Sequence, residues 1–308
     1  MELSSIQHID PGKIADIKAD IFLTTLGFES RCTYVARKLE GLSCRKVAFA
    51  RTDHIKEHAF QENQSYYTDQ GYEIVSLGSE KPDMDAVFRG YAGDKILVIL
   101  DSTSMSARWY FEFFRWFSEA QNRFTEALIR IAYTMPAFTE HEEARKVKSV
   151  KAFMPSKHAD KDKKKTVLLL GLGHEKNIGE VICKKIHPDR LFLLYADPPA
   201  HKSFVEKVFV NNQKLINSTP IRNLIAYPIR NGQEIYQKLI DLILPLRKEF
   251  RVILVPKGPK LFSVVAQLIH LSYPDVQIYY PDFKKPPTVD QHPSGEPVIL
   301  DVLLEGEE

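Results

Sequence analysis

An internal repeat is the feature that most constrains the fold of this 308-residue chain. One copy begins with Asp20–Leu39, DIFLTTLGFESRCTYVARKL, and the other with Thr166–Ile182, TVLLLGLGHEKNIGEVI. Each reads as a short apolar strand, a Leu-Gly turn with a Glu two residues after the glycine, and the start of a helix. The pattern predicts that one α/β unit occurs twice.

The repeat continues through the later strands of each copy. Arg45–Phe60 aligns with Asp189–Phe204, and Lys95–Arg108 aligns with Phe250–Ser263. Apolar runs bounded by turns and alternating with helical stretches are typical of parallel sheets covered by helices on both faces. We therefore predict an α/β fold of two tandem Rossmann-like units with mainly parallel sheets, pseudo-twofold related by internal duplication.

The repeat also predicts where the domains lie. The first unit is expected at residues 1–140, a charged connector at 141–165 and the second unit at 166–308, lengths that suit two ordinary domains. The first 18 residues read as a lead-in, and Val298–Leu304 as the last strand of the second unit. The helix around Trp109–Phe117 is so aromatic that we expect it to be buried on more than one side.

Composition excludes several classes of protein. A hydrophobic content of 44% and a charged content of 27% describe a globular chain. The net charge of +2 gives no global attraction to nucleic acid or membrane, so any anion site must be local. The three cysteines lack metal spacing, and no apolar run approaches the ~20 residues that cross a bilayer. We expect a cytoplasmic protein with no metal, no cofactor, no membrane partner and no extended nucleic-acid surface.

Polar turns follow the first and fourth strands of each unit. In open parallel sheets, ligands bind outside the carboxyl ends of the strands, where helix N-termini favour anions. Hydroxyls and cations in these turns predict a site for phosphates or a nucleotide. The candidate residues of the first unit are Thr25, Gly27, Phe28, Glu29, Arg31, Asp101, Ser102, Thr103, Ser104 and Arg108. Those of the second unit are Gly173, His174, Glu175, Lys176, Lys257, Gly258 and Lys260.

Two alternatives concern the same turns. The polar residues can serve only as helix caps, and the glycines only to turn the chain. Glu29 and Glu175 occupy equivalent positions, and a carboxylate is unexpected in a turn suited to phosphate. Three roles are open for it: binding a ligand hydroxyl, acting as a base, or complementing the positive end of the helix.

Other motifs are weaker. Gly171–Gly173 lacks the third glycine of a dinucleotide fingerprint, and no Gly-Lys-Ser/Thr follows a strand. His54–His58 fits the H-x-x-E-H of inverted zinc peptidases, although a solvated helix start is the favoured interpretation. The aromatic helix is better explained as core than as a base-stacking surface. Lys161–Lys165 reads as a hydrated linker.

The layout of the turns resembles that of the CARF domains, and the fused pair is similar to the SAVED arrangement. The residues that carry the resemblance are Leu26–Arg31, Asp101–Ser106, Leu172–Glu175 and Lys257–Lys260. The second motif of the family usually reads Asp-x-Thr-Gly-Gly-Thr-Lys. The first unit keeps its Asp and Thr without the glycines, and the second keeps Gly and Lys without the Asp and Thr.

The resemblance implies binding of a nucleotide-type signal, a cyclic oligonucleotide first, at the junction of the two units. It further implies a sensor or adaptor of antiviral defence that acts through a separate effector protein. A nucleotide-processing enzyme is the alternative, either phosphoribosyltransferase-like or a ligand phosphodiesterase in which Ser102 or Ser104, near Arg108, orients a ribose hydroxyl. A third class is a protein-interaction module that has lost its ligand.

Overall fold

The chain forms two compact units, Met1–Ala137 with Thr288–Glu308, and Phe138–Pro287. The structure is a computed structural model that describes residues 1–14, 16, 18–52, 55–77, 81–119, 124–139, 146–153, 165–199, 202–283 and 289–306. Both units are α/β, with two mixed, mostly parallel sheets. The predicted fold class is confirmed.

The described residues form thirteen strands and nine α-helices. The strands are β1 (Glu2–Ile9), β2 (Ile21–Leu26), β3 (Arg45–Arg51), β4 (Glu73–Leu77), β5 (Lys95–Asp101), β6 (Glu126–Tyr133), β7 (Val147–Ala152), β8 (Thr166–Gly171), β9 (Arg190–Ala196), β10 (Leu224–Tyr227), β11 (Arg251–Val255), β12 (Gln277–Phe283) and β13 (Val298–Glu305). The helices are α1 (Tyr34–Lys38), α2 (Phe60–Asp69), α3 (Met84–Phe88), α4 (Ala107–Glu119), α5 (Ile178–Ile186), α6 (Lys202–Asn211), α7 (Gln213–Asn217), α8 (Gly232–Leu246) and α9 (Lys260–Ser272).

The parallel strands of the two sheets share one order. The first runs β1-β13-β6-β5-β2-β3-β4 and the second β10-β9-β8-β11-β12-β7. Numbered along the chain, the five parallel strands of each unit lie in the order 3-2-1-4-5, the start of the Rossmann arrangement. Beyond the fifth strand, each sheet continues with an antiparallel strand, β13 beside β6 and β7 beside β12. Two units that arose by duplication are expected to share a strand order. The duplication itself stays a prediction.

The ends of the units differ from the sequence expectation. The predicted lead-in contains β1, and β13, assigned to the second unit, pairs with β1 and β6 in the first sheet. The predicted connector contains β7, which pairs with β12. The reason is that β6 and β12 would each be an open edge of their sheet, and β13 and β7 cover these edges by pairing. A strand distant in sequence supplies that pairing, which local patterns do not reveal.

Helices cover both faces of the first sheet. Phe22 of β2 faces a core that includes Val35 of α1 and Tyr67 of α2. On the opposite face, Phe49 of β3 packs edge-to-face against Trp109 of α4, with ring centroids 6.0 Å apart. Seven residues of α4 are buried, which confirms that this aromatic helix is enclosed on more than one side.

The second sheet is enclosed in the same way. Leu168 and Leu170 of β8 face a core with Ile178 and Ile182 of α5. Phe262 of α9 stacks on Tyr227 at the end of β10, with ring centroids 4.7 Å apart. Within the described part of the chain, no helix combines the length and apolar character needed to cross a membrane.

The pair Arg130–Asp301 tests the placement of β13 in the first unit. Arg130 on β6 donates two hydrogen bonds of 2.6 Å to Asp301 on β13, and both side chains are largely buried. We expect Asp301→Ala to lower the free energy of unfolding of the first unit by about 1–3 kcal/mol, because Arg130 would lose its partner. The measurement is urea unfolding followed by tryptophan fluorescence, since both tryptophans, Trp109 and Trp116, belong to this unit.

The matched control is Glu305→Ala, which removes one carboxylate from the exposed end of the same strand. Its effect should stay within about 0.5 kcal/mol. An unchanged tryptophan transition in Asp301→Ala would contradict the role assigned to this pair.

Candidate functional site

The candidate residues lie where the strand order reverses in each sheet. That reversal falls between β2 and β5 in the first unit and between β8 and β11 in the second. In open α/β sheets, this switch point leaves a crevice at the carboxyl edge in which ligands bind. Every candidate residue lies at the end of one of these four strands or in the segment that follows it. The turn after the first strand and the turn after the fourth strand are called the first and second turns below.

A carboxylate joins the two turns of the first unit. Glu29, in the first turn, accepts a hydrogen bond of 3.2 Å from the hydroxyl of Ser104 in the second turn. The same carboxylate oxygen accepts a hydrogen bond of 2.9 Å from Arg31 Nε. Gly27 permits this approach, because a Cβ at position 27 would lie 3.2 Å from Ser104 Cβ.

Arg31 is not available to a ligand. It is 5% exposed, and its Nη1 donates to the carbonyl of Thr134 at 2.7 Å. Its guanidinium also lies over the ring of Tyr133, 5.9 Å from the centroid. Burial by itself lowers the pKa of Arg31, but the Glu29 carboxylate and the Tyr133 hydroxyl more than offset this, so the pKa lies above its ordinary value. The Arg31 guanidinium is therefore always charged, and groups of its own unit contact it on several sides.

The second turn of the first unit is held internally as well. Asp101 accepts from the Thr24 hydroxyl at 3.1 Å and from the backbone N–H of Thr103 at 2.9 Å. The hydroxyl of Ser102 donates to the carbonyl of Ala132 at 3.1 Å. Asp101, Ser102 and Thr103 are each at most 1% exposed. These predicted ligand residues therefore stabilise the turn.

The remaining candidates of the first unit lie apart from this network. Arg108 is exposed near the start of α4. Phe28 is half-buried and packs against His58, with ring centroids 5.8 Å apart. Thr25 is 1% exposed, and its carbonyl accepts a hydrogen bond of 2.9 Å from the thiol of Cys32.

Asp290 covers the first turn of the first unit, and the sequence did not reveal it. Its carboxylate accepts from the Ser30 backbone N–H at 2.7 Å and from the Ser30 hydroxyl at 2.6 Å. Burial raises the pKa of Asp290, but the two Ser30 hydrogen bonds, with His292 and His58 nearby, lower it overall. Asp290 lies 260 residues beyond Ser30, so no local pattern connects them.

Glycines bring the two turns of the second unit into direct contact. A Cβ at Gly171 would lie 2.2 Å from the Lys257 carbonyl oxygen, a distance that no real side chain tolerates. Gly258 has a φ of +106°, a left-handed conformation that favours glycine. Gly171 and Gly258 are therefore needed for the close approach of the two turns.

A second carboxylate bridge spans these turns. Glu175, in the first turn, accepts a hydrogen bond of 2.6 Å from Lys257 Nζ in the second turn. The side chains are 13% and 16% exposed, so the pair lies between core and solvent. Lys257 Nζ also lies 5.2 Å from the ring centroid of Phe283. A Cβ at Gly173 would lie 2.2 Å from Glu175 Oε2, so the carboxylate rests against the glycine.

A small cleft opens beside this ion pair. Its lining includes Glu175, Asn212 and Lys257 and, on the inner side, the core residues Leu170 and Ile182. The enclosed space is about 10 Å³, room for about one water molecule, against the ~300–1,000 Å³ of usual small-molecule sites. A phosphate could therefore reach Lys257 only if the Glu175 carboxylate or the turns moved.

The other candidates of the second unit lie in the first turn or at the start of α9. Lys176 is exposed, next in the chain to Glu175, and Lys260 is half-buried at the start of α9. The ring of His174 lies 6.1 Å from that of Phe204. Its carbonyl accepts a hydrogen bond from Asn211.

Buried asparagines hold the glycine turn of both units. Asn63 donates to the carbonyls of Gly27 at 2.9 Å and Glu29 at 3.0 Å. Asn212 donates to the carbonyl of Gly173 at 2.9 Å. Asn63 belongs to a largely polar stretch of sequence, yet it is 3% exposed. The spacing could have revealed this burial. Asn63 lies three residues after Phe60 and four before Tyr67, so it shares their buried face.

No group of three His, Cys, Asp or Glu residues that could hold a metal ion occurs among the described residues. His54, the first residue of the H-x-x-E-H pattern, lies outside that set, as do Lys161–Lys164 of the linker. The geometry therefore favours two carboxylate-bridged crevices. The first is filled by the side chains of its own unit, and the second has a cation, Lys257, beside a water-sized cavity.

In comparisons with known proteins, no family model matches the chain, and no curated protein or solved structure matches it either.

Arg31→Met tests whether the first crevice is structural. We expect the free energy of unfolding of the first unit to fall by about 3 kcal/mol, because the substitution removes one partner of a buried ion pair. Urea unfolding followed by tryptophan fluorescence measures it. The control Arg89→Met removes an exposed arginine from the same unit and should cost less than about 0.5 kcal/mol. Equal effects of the two substitutions would show that Arg31 does not hold the turn.

Proposed function

We propose that the second unit binds the phosphate of a nucleotide-type signal at its switch point, and that the protein acts as a sensor or adaptor for that signal. The observation that carries this proposal is the ammonium of Lys257, which lies partly exposed at the switch point of the second unit and is held there by Glu175. The glycines of these turns let backbone N–H groups approach an anion closely. A lysine ammonium adds the point charge that phosphate sites commonly use.

Lys257 differs from Arg31 in what a ligand must displace. Lys257 is bound by one carboxylate, whereas Arg31 is bound by a carboxylate and a carbonyl and is more deeply buried. An incoming phosphate can share Lys257 with Glu175 at the cost of one rearranged contact. This contrast supports one ligand site in each chain, located in the second unit.

The size of the cleft bears on the ligand. Because the cavity is no larger than a water molecule, a nucleotide would lie outside it, with its phosphate at Lys257 and its sugar and base beside the exposed residues Lys176 and Gly258. A ligand that extends over the surface in this way agrees with a cyclic oligonucleotide, the signal class that the resemblance to CARF domains implies. A separate effector protein in antiviral defence would then read the bound state.

Turnover of the ligand has less support. The phosphodiesterase alternative needs a hydroxyl that orients a ribose oxygen, and Ser102 and Ser104 were the candidates. Ser102 is fully buried and donates to Ala132, and Ser104 donates to Glu29. Both hydroxyls are engaged in holding the first unit together.

Thermal melting with a ligand panel tests the proposal. The panel contains AMP, ATP, cyclic di-, tri- and tetra-adenylate, and their guanine counterparts. A ligand at 100 times its dissociation constant should stabilise the second unit by about 2.7 kcal/mol. We expect Lys257→Met to weaken that ligand at least about tenfold, because a charge-assisted hydrogen bond contributes about 1.5–3 kcal/mol.

The control is Lys248→Met, which removes an exposed lysine before β11, at the opposite edge of the same sheet. It should leave the shift unchanged. A shift that survives Lys257→Met would place the site elsewhere. No shift with any compound would favour the protein-interaction module.

A further inference from the structure

Residues 290–296, called the strap below, lead into β13 and lie over the first turn of the first unit. Asp290 of the strap accepts two hydrogen bonds from Ser30, one of 2.7 Å from the backbone N–H and one of 2.6 Å from the hydroxyl. The next backbone N–H, that of Arg31, donates to the carbonyl of Gln291 at 3.0 Å. In these contacts the turn supplies the donors and the strap supplies the acceptors.

The surroundings of the Asp290 carboxylate favour a negative charge. His292 Nε2 lies 3.6 Å from this carboxylate, and the charge of His58 acts on it as well. Burial by itself raises the pKa of Asp290, but the two hydrogen bonds from Ser30 and the two histidines lower it overall. The position therefore stabilises an anion, although it is partly buried.

The same position is within reach of the solvent. The side chain of Asp290 is 23% exposed, and that of His292 is 65% exposed. Glu29, which precedes Ser30 in the chain, would repel an anion, but it is paired with Arg31. An anion from solution could therefore occupy this position if the Asp290 carboxylate were absent.

The strap is also held on its other side, by the segment that follows β6. The backbone N–H of Ala137 donates to the carbonyl of His292 at 2.8 Å, and that of Ser294 donates to the carbonyl of Met135 at 2.9 Å. These backbone contacts do not involve the side chain of Asp290. Removal of the carboxylate should therefore leave the strap in place and free the donors of Ser30.

We propose that Ser30 and the two histidines form a phosphate site of the first unit, and that Asp290 keeps this site closed as an internal substitute for the phosphate. A carboxylate and a phosphate accept hydrogen bonds from the same donors. A tethered group competes at an effective concentration of the order of millimolar, so Asp290 excludes a phosphate that is present at a lower concentration. The inference concerns the first unit and does not depend on the function proposed for the second.

The substitution Asp290→Ala opens the site. Both tryptophans, Trp109 and Trp116, belong to the first unit, so urea unfolding followed by tryptophan fluorescence reports on this unit. Inorganic phosphate is the probe. We expect it to raise the unfolding midpoint more in Asp290→Ala than in the wild type, with binding at least about tenfold tighter. In the double variant Asp290→Ala/Ser30→Ala most of this extra shift should be lost, because the hydroxyl donor is gone.

Two single variants make the result specific. Phosphate stabilises folded proteins in general, because it is excluded from their surface, so every shift is compared with that of a matched control. The control is Asp69→Ala, which removes an exposed carboxylate at the end of α2 and should respond to phosphate as the wild type does. Asp290→Asn keeps an acceptor oxygen without the charge and should give an intermediate shift. It also serves as the test if Asp290→Ala fails to fold.

Formate is the second probe, since it supplies a free carboxylate like the one removed. Stabilisation of Asp290→Ala by formate and by phosphate would support the proposal. Stabilisation by formate alone would overturn the phosphate site and leave Asp290 as a structural carboxylate. Equal phosphate shifts in the wild type and in Asp290→Ala would overturn the proposal, as would an extra shift that persists in full without the Ser30 hydroxyl. None of these outcomes bears on the site of the second unit, because that unit contains neither tryptophan.

Discussion

A carboxylate two residues after the repeated glycine joins the first and second turns of each unit. Glu29 reaches Ser104 and Glu175 reaches Lys257, at the point where the strand order of each sheet reverses. In open α/β sheets the connections on the two sides of this point lead to opposite faces of the sheet, and the bridge spans the crevice between them. The bridge explains why a carboxylate, which repels phosphate, occurs in turns that otherwise suit an anion. In each crevice the carboxylate is paired with a cation of the same unit, Arg31 or Lys257.

The two crevices differ in what they leave to a ligand. In the first unit, Arg31 and Ser104 are held by Glu29, and Asp290 occupies the donors of Ser30. In the second unit, the glycines of the two turns replace these side chains, and a cation remains beside the cleft. The same kind of bridge therefore occurs in a crevice that is closed by its own side chains and in one that leaves a cation at its edge.

The sequence predicted the parallel strands and the polar turns after the first and fourth strands, because apolar strand runs and glycine turns are local patterns. It did not predict β13 in the first sheet or Asp290 over Ser30, because these contacts join residues far apart in the chain. Burial was misjudged for Ser102 and Thr103, since polar residues that satisfy one another inside a turn look the same in sequence as residues that face a ligand. The ion pair of Lys257 with Glu175 was also not foreseen, although both residues were named as candidates.

The central claim is that the chain has one phosphate-binding crevice, in the second unit. The most direct test is the binding stoichiometry, measured by titration calorimetry with the nucleotide that raises the melting temperature most. The account predicts one ligand for each chain, with binding weakened in Lys257→Met and retained in Arg108→Ala of the first unit. Two ligands for each chain, or a single one lost in Arg108→Ala and retained in Lys257→Met, would contradict it.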